Sequence, residues 1–268
     1  MEQTSPSLTA QRLIDHVVER MSEREASRAT ERLPFTIRRV STEDELDKAV
    51  AVRHAAYARH VPEFAQSLRT PERADYDGES VVLLAQSKLD GSPLGTLRIQ
   101  TNCTQALHLE QSVELPVWLQ TQRLAEITRL GIGEGRIGRL VKMALMKAMF
   151  EYCEQNGIDY IVATGRAPID RQYEQLLFID VFASKAFVPL RHVGNLPHRV
   201  MAFEVATAQA RWEAAQHPLL DFFKHTRHPD IDLSIPAEMA IHAVRARGLG
   251  GARVSAPRNV SQFNFAAV

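Results

Sequence analysis

The sequence predicts an α/β domain of the α+β kind: a mixed, mainly antiparallel sheet with one central parallel βαβ crossover, carrying helical extensions at both ends. Three observations support this. Residues 81–87 (VVLLAQS) and 94–101 (LGTLRIQT) are β-rich runs around the turn KLDGSP, the pattern of an antiparallel hairpin. Residues 123–165 run strand, Gly-rich loop, long helix, strand, and such a crossover makes its two strands parallel. FVPLRHVGNLPHRVMAFEV, from Phe187, reads as a closing pair of strands.

The elements follow in order. From Thr9 to about Arg32, Leu13, Val17, Val18 and Met21 keep helical spacing on a charged segment, a peripheral helix. PFTIRRV (34–40) is β-rich, and Thr42 with Glu45 has capping-box spacing ahead of Leu46, Ala49, Val50 and Val52. After the hairpin, residues 102–122 are polar and irregular around Pro116 and Trp118. RLAEITRLGI (123–132) is a strand, GEGRIG (133–138) a loop, and RLVKMALMKAMFEYCEQNG a helix with Gly157 where a C-cap belongs. IDYIVATG (158–165) is a strand, and a helix over about 169–182 precedes the closing pair. The order β α β β β α β α β β defines a core over 34–206, with extensions over 1–33 and 207–268. In the latter, TAQARWEAAQ reads as a helix and the tail begins at Gly248. His217, His225, His228 and His242 lack an i, i+4 pair backed by a carboxylate, so they read as surface histidines and no metal is expected.

Composition narrows the function classes. The 268 residues carry 32 Lys plus Arg against 32 Asp plus Glu, and zero net charge argues against a nucleic-acid-coating protein. Hydrophobic residues at 45% and charged residues at 24% exclude global disorder. No apolar run reaches membrane-spanning length and no secretory leader pattern opens the chain, so a cytoplasmic protein without a membrane span is expected. Cys103 and Cys153 lie far apart, without CxxC or zinc-knuckle spacing.

Gly133, Gly135 and Gly138 complete a G-x-G-x-x-G after a strand and at the mouth of a helix, with Asp159 about twenty residues on. Glycines let backbone amides approach a phosphate and a helix N-terminus supplies partial positive charge. Three readings remain open: a dinucleotide site, a structural turn and another phosphate ligand. Asp159 begins its strand, the wrong edge for a ribose-binding acid.

This order of elements, with the Gly-rich loop between the fourth strand and the long helix, resembles the GNAT acyltransferase fold. The resemblance implies that Gly133, Gly135, Arg136, Gly138 and Arg139 hold the phosphates of coenzyme A or of a carrier protein's phosphopantetheine. The usual family loop is Gln/Arg-x-x-Gly-x-Gly/Ala; here Gly133 stands first, Arg136 fourth, and only Gly138 is kept. IDRQYEQLLF (169–178) is similar to the family's YEKLGF-like segment, so Tyr173 falls where many members place the tyrosine that protonates the leaving thiolate. A half-buried helix tyrosine is the other reading.

Four further features resemble the FeeM-type N-acyl amino acid synthases and, more distantly, the acyl-homoserine lactone synthases. They are Arg53 and Tyr57 in AVRHAAY, Tyr76-Asp77 before the hairpin, Arg98 in GTLRIQ, and Glu126 with Arg129 in EITRLGI. The relatives carry another Asp three residues before the hairpin acid, where Ala74 stands here. From the residues alone, Arg53, Asp77, Arg98, Glu126 and Arg129 are charges in core elements and need partners, either as a substrate-orienting set or as a network that closes the sheet. Strand alternation puts Glu126 and Arg129 on opposite faces, and a β-bulge between them restores a common side.

The resemblance implies an N-acyltransferase, a bacterial enzyme with no permanently bound cofactor, which moves a long-chain acyl group from acyl carrier protein, or from acyl-CoA, to an amino acid or other small amine. Glu126 takes the amine proton directly or through water, backbone amides near Leu130 and Ile132 hold the oxyanion, and Tyr173 protonates the sulfur. Arg53, Tyr57, Asp77, Arg98 and Arg129 bind the acceptor, with Arg98 or Arg53 on its carboxylate. Arg139, Lys142 and Lys147 share an arc of about 140° at 100° per residue with Met143, Met146 and Phe150. With Arg136 that arc reads as a solvated edge or as the dock for an acidic carrier. An ordinary coenzyme A-dependent N-acetyltransferase, a lactone synthase using S-adenosylmethionine and a non-enzymatic GNAT-like sensor are the rival classes.

Overall fold

The computed structural model describes residues 29–235. Most of the helix expected over 9–32, together with His242 and the tail from Gly248, lies outside them. The chain runs β1 (Phe35–Arg39), α1 (Glu43–Ala58), β2 (Ser80–Ser87), β3 (Pro93–Thr101), β4 (Leu124–Ile132), α2 (Gly138–Gln155), β5 (Tyr160–Gly165) and α3 (Asp170–Gln175). It continues through β6 (Ile179–Asp180), β7 (Phe187–Leu190), β8 (Leu196–Glu204), α4 (Ala208–Ala214) and β9 (Ile231–Asp232). The sheet order is β9-β1-β2-β3-β4-β5-β8-β6, with β7 also on β8. Only β9 with β1 and β4 with β5 are parallel within it, so the hairpin, the crossover and the closing pair form as the sequence predicts.

Local chemistry explains the two main helices. Thr42 Oγ1 accepts from the Glu45 amide at 3.2 Å while Glu45 Oε2 accepts from the Thr42 amide at 3.2 Å, a complete capping box for α1. The apolar stripe of α2, with Val141, Ala144, Leu145, Ala148 and Met149, is buried on the sheet face made by Leu83, Leu97, Ile99, Ala125 and Ile127. On the other face α1 buries Leu46, Ala49 and Val50 with Val82 and Leu84. That approach depends on Gly131, where a Cβ would stand 2.9 Å from Arg53 Cα.

Two expectations are corrected. The helix expected over 169–182 is only α3. Leu176 and Phe178 return their amides to the Tyr173 carbonyl, Leu177 turns to φ +67°, and β-branched Ile179 then pairs with Ala202 of β8. The gain is aromatic packing: the Phe178 ring centroid lies 5.2 Å from Phe203 and 5.4 Å from Tyr173. Beyond residue 206 the chain also does more than form a helix. Thr226–Arg227 pairs with Ala29–Thr30, and β9 extends the sheet beyond β1. Lys147 holds this segment, its buried Nζ bonding the carbonyls of Phe222 (2.9 Å) and Thr226 and standing 2.9 Å from His228 Nδ1. His228 is therefore buried, whereas His225 is on the surface as expected.

Gly131→Ala is expected to force α1 off the sheet at a cost of about 1–3 kcal/mol. Urea unfolding with an unchanged midpoint would show that the close approach is not needed.

Candidate active site

The site begins where two parallel strands part. The β4–β5 pairs run from Leu124–Tyr160 to Ile127–Ala163 and stop, although β4 continues to Ile132. On its other side β4 bulges: Arg98 faces Thr128 and Thr96 faces Gly131, leaving Arg129 and Leu130 opposite Leu97 alone. Arg129 takes φ +56°, which swings it onto the α1 face with Glu126 and Thr128 while Leu130 returns to the α2 face. This is the bulge that alternation required. The Gly133 amide bonds the Leu94 carbonyl at 2.8 Å, so the Ile132 amide one residue earlier points away from β3, into the gap.

A cavity of about 480 Å³ fills that gap. Leu130, Ile132, Tyr57 and Arg129 line it as expected site residues, along with Phe64 and His198. Tyr173 also lines it and is 4% exposed, its phenol group without a hydrogen-bond partner among the described residues. Burial, with Tyr57 nearby, pushes its phenol pKa up, so it keeps its proton at neutral pH. Arg199 fixes α3 on either side of this tyrosine, bonding Asp170 at 2.9 Å and Glu174 at 2.9 Å, and anchors it to Asp180 at 2.8 Å.

Beside the cavity lies a buried ion network that differs from the expected one in its acids. Arg53 grips Asp75 with two 2.9 Å bonds and reaches Glu72 at 3.3 Å. Arg98 bonds Glu72 and Asp75, each at 3.1 Å, and Thr128 at 3.2 Å. Arg129 closes on Glu72 with bonds of 2.6 and 2.7 Å and reaches the His192 carbonyl at 2.9 Å. Burial pushes both carboxyls up, but the Arg129 bond to Glu72, the Arg53 bond to Asp75 and the surrounding positive charges hold them below their ordinary values. Asp77 is corrected out of this set: it receives Gln105 and the Glu79 amide outside the network. The acidic pair spaced three residues apart is present two positions earlier than the resemblance suggested, as Glu72 and Asp75. Arg53 and Arg98, ion-paired to Glu72 and Asp75 and at most 1% exposed, are likewise corrected as holders of a substrate carboxylate.

Glu126 is fully buried and is not among the residues that line the cavity, so direct contact with a substrate there does not fit. The Leu109 amide donates to Oε2 at 3.1 Å, and Oε1 stands 3.2 Å from His192 Nε2 without the alignment of a hydrogen bond. Burial pushes its carboxyl up to about 7, tempered by the Leu109 bond and the charges of Arg98 and Arg129. His192, buried near Arg129, is held down at about 3 and is neutral.

The Gly-rich loop precedes an α2 N-terminus that no side chain caps. Gly135 adopts φ +128°, and Gly138 packs so that a Cβ would meet Ile132 Cγ2 at 3.2 Å and the Gly133 carbonyl oxygen at 3.3 Å. Asp159 follows the far end of this 18-residue helix, about 27 Å from the loop. There it accepts the Arg123 amide at 2.7 Å, which removes it as a ribose ligand of a dinucleotide on the loop. Arg136 and Arg139 are exposed, and Lys142 is half-buried on Gln172 at 3.0 Å. The basic arc is corrected at its other end, because Met146, Lys147 and Phe150 are covered by the C-terminal segment and the core. Sequence reasoning missed Glu72, Asp75, His192, His198 and Arg199; the signal for Arg199 was a lone charge inside an apolar strand.

A splayed parallel pair with a bulge on one strand and a glycine loop feeding the crossover helix define a GNAT-fold acyltransferase. Comparison with known proteins agrees. The chain resembles FeeM, an N-acyl amino acid synthase from uncultured soil microbes, at 18% identity and a TM-score of 0.50, over 70% of this chain and 96% of that one. It also resembles BjaI, a CoA-dependent acyl-homoserine lactone synthase solved with SAM and isopentyl-CoA, at 18% identity and a TM-score of 0.52, over 79% and 99% of the two chains. No curated protein sequence matches. Residues 48–202 match the family N-acyl amino acid synthase FeeM, so the chain belongs to that family and is an N-acyltransferase.

Between the ordinary value of 4.5 and about 7, folded Glu126 keeps a proton that the unfolded chain has released. Stability therefore falls by about 3 kcal/mol as pH rises through that window. Glu126→Gln is expected to abolish this loss. His192 contributes the opposite slope and is present in both proteins, so the difference between their urea-unfolding free energies at about pH 5 and about pH 8 isolates Glu126. Parallel pH profiles would contradict the assignment.

Proposed function

We propose that the enzyme moves a long-chain acyl group from an acyl carrier protein thioester to the amine of an amino acid. The observation that supports this best is the open edge of β4 beyond Ile127, which faces a cavity holding a protonated, unpartnered tyrosine. The thioester lies against that edge. The neutral amine attacks its carbonyl carbon, and charge developing on the oxygen meets backbone donors at Ile132 and the Leu130 bulge. The C–S bond breaks and Tyr173 gives its proton to the sulfur. Before attack, a water behind the cavity wall carries the ammonium proton to Glu126; the second proton, lost from nitrogen as the amide forms, returns to the Tyr173 oxygen. Neither Cys103 nor Cys153 lines the cavity, and direct attack needs no covalent intermediate.

Arg136 and Arg139 dock the acidic carrier beside the glycine loop, which receives the phosphopantetheine phosphate. The second reading is acyl-CoA as donor, favoured by the likeness to the CoA-dependent BjaI. Either donor suits a cytoplasmic enzyme, and among the described residues no helix is long and apolar enough to cross a membrane.

Lipid extracts of cells expressing the protein are expected to contain an N-acyl amino acid by mass spectrometry, reduced on the order of a hundredfold in Tyr173→Phe. Equal yields from both proteins would remove Tyr173 from the chemistry. Charge reversal at Arg136 and Arg139 together is expected to lower carrier-dependent kcat/KM on the order of tenfold and to spare turnover of a short pantetheine thioester. Unchanged carrier kinetics would shift the donor to acyl-CoA.

A further inference from the structure

The cavity wall is electrostatically one-sided. Arg59, Arg129, Lys142 and Arg166 line it, and among the described residues no aspartate or glutamate does. Three of these cations have oxygen partners: Arg59 bonds the Ile132 carbonyl at 2.6 Å, Arg129 holds Glu72, and Lys142 reaches Gln172. Arg166 has none among the described residues, and its Nη1 is a buried donor without a partner, as is Arg129 Nη1. A buried guanidinium donor left unbonded costs free energy that an anionic ligand would recover.

Strand register places a complementary group beside it. β5 pairs with β8 as far as Gly165 with Arg199; Arg166 follows that last pair and His198 precedes it, so both stand at the same end of the two strands. Burial lowers the His198 pKa, and the nearby Arg166 charge adds to that lowering. Thr164, Arg166 and His198 all line the cavity. His198 Nδ1 donates to the Leu196 carbonyl at 2.8 Å, which leaves Nε2 of the neutral ring as an acceptor. A guanidinium donor beside an imidazole acceptor matches the carboxylate and ammonium of one α-amino acid.

Resting on the acyltransferase reading above, we infer that Arg166 and His198 form the acceptor subsite, Arg166 binding the carboxylate of an α-amino acid and His198 Nε2 accepting from its ammonium. None of the residues 133–141 lines this cavity, so a donor phosphate held at the glycine loop belongs elsewhere.

The test separates binding from turnover. By calorimetry, the wild-type protein is expected to bind N-dodecanoylalanine about tenfold to a hundredfold more tightly than its carboxamide. Arg166→Met should bind the two equally, Arg166→Lys should keep part of the preference, and coenzyme A should bind all three proteins alike. His198→Leu should raise the KM for free amino acids about tenfold and leave N-dodecanoylalanine binding unchanged, since the product has no ammonium. A preference that survives in Arg166→Met, or a loss confined to coenzyme A, overturns the assignment. So does His198→Leu if it weakens product binding or leaves the acceptor KM unchanged. Wild-type protein that binds the product selectively but acylates no amino acid would defeat the acyltransferase reading and leave the carboxylate site standing.

Discussion

The rest of the site depends on three buried arginines sharing two carboxylates. Arg53 comes from α1, Arg98 from β3, Arg129 from β4, and Glu72 with Asp75 from the connection between α1 and β2. Ions taken out of water are tolerated only when their partners are fixed, and removing one partner from such a set typically costs about 3–5 kcal/mol. The network therefore joins four segments that apolar contact alone would not register against one another. It also supports the positive φ of Arg129: a backbone excursion of that kind costs about 1–3 kcal/mol, which the two short bonds to Glu72 offset. With three cations against two anions, the network keeps a surplus positive charge that tempers the upward shift of Glu126.

What was legible in the sequence was local. The Thr42–Glu45 box, the hairpin and the crossover are written in residues a few positions apart, and the need for a bulge followed from alternation between Glu126 and Arg129. The partners of the arginines were not legible because Glu72 and Asp75 lie in a short 3₁₀ connection with no periodicity to mark a buried face. Asp77 drew the assignment by its nearness to the hairpin. Lys147 fell on the wrong side for a different reason: helical spacing gives the arc of a residue but not what covers it, and the covering segment arrives some seventy-five residues later in the chain. Arg166 and His198 become neighbours only through the register of two antiparallel strands.

The burial of Lys147 also changes how a carrier can approach. A basic stripe along α2 would have offered contacts over several turns. Exposed positive charge on this helix is instead concentrated at its N-terminal end, in Arg139 beside Arg136 of the loop. Glu134 is exposed on the same loop, so the net positive patch is small and attraction from it is easily screened by salt. On the proposed carrier reading, such a surface would favour orientation over strength of attraction.

The acid-free wall of the cavity bears on the proton problem that any amine acylation must solve. An amino acid arrives as an ammonium, and only its neutral form attacks. Positive side chains around a desolvated amine lower its pKa, since like charge and low dielectric both disfavour the ammonium. With the carboxylate on Arg166 as inferred above, the positive charges of Arg59, Arg129 and Lys142 would make its neighbouring ammonium easier to deprotonate. A base near neutrality is then sufficient, and contact between that base and the substrate is not required. Glu126, buried and with a pKa of about 7, would meet that relaxed demand through the relay proposed above.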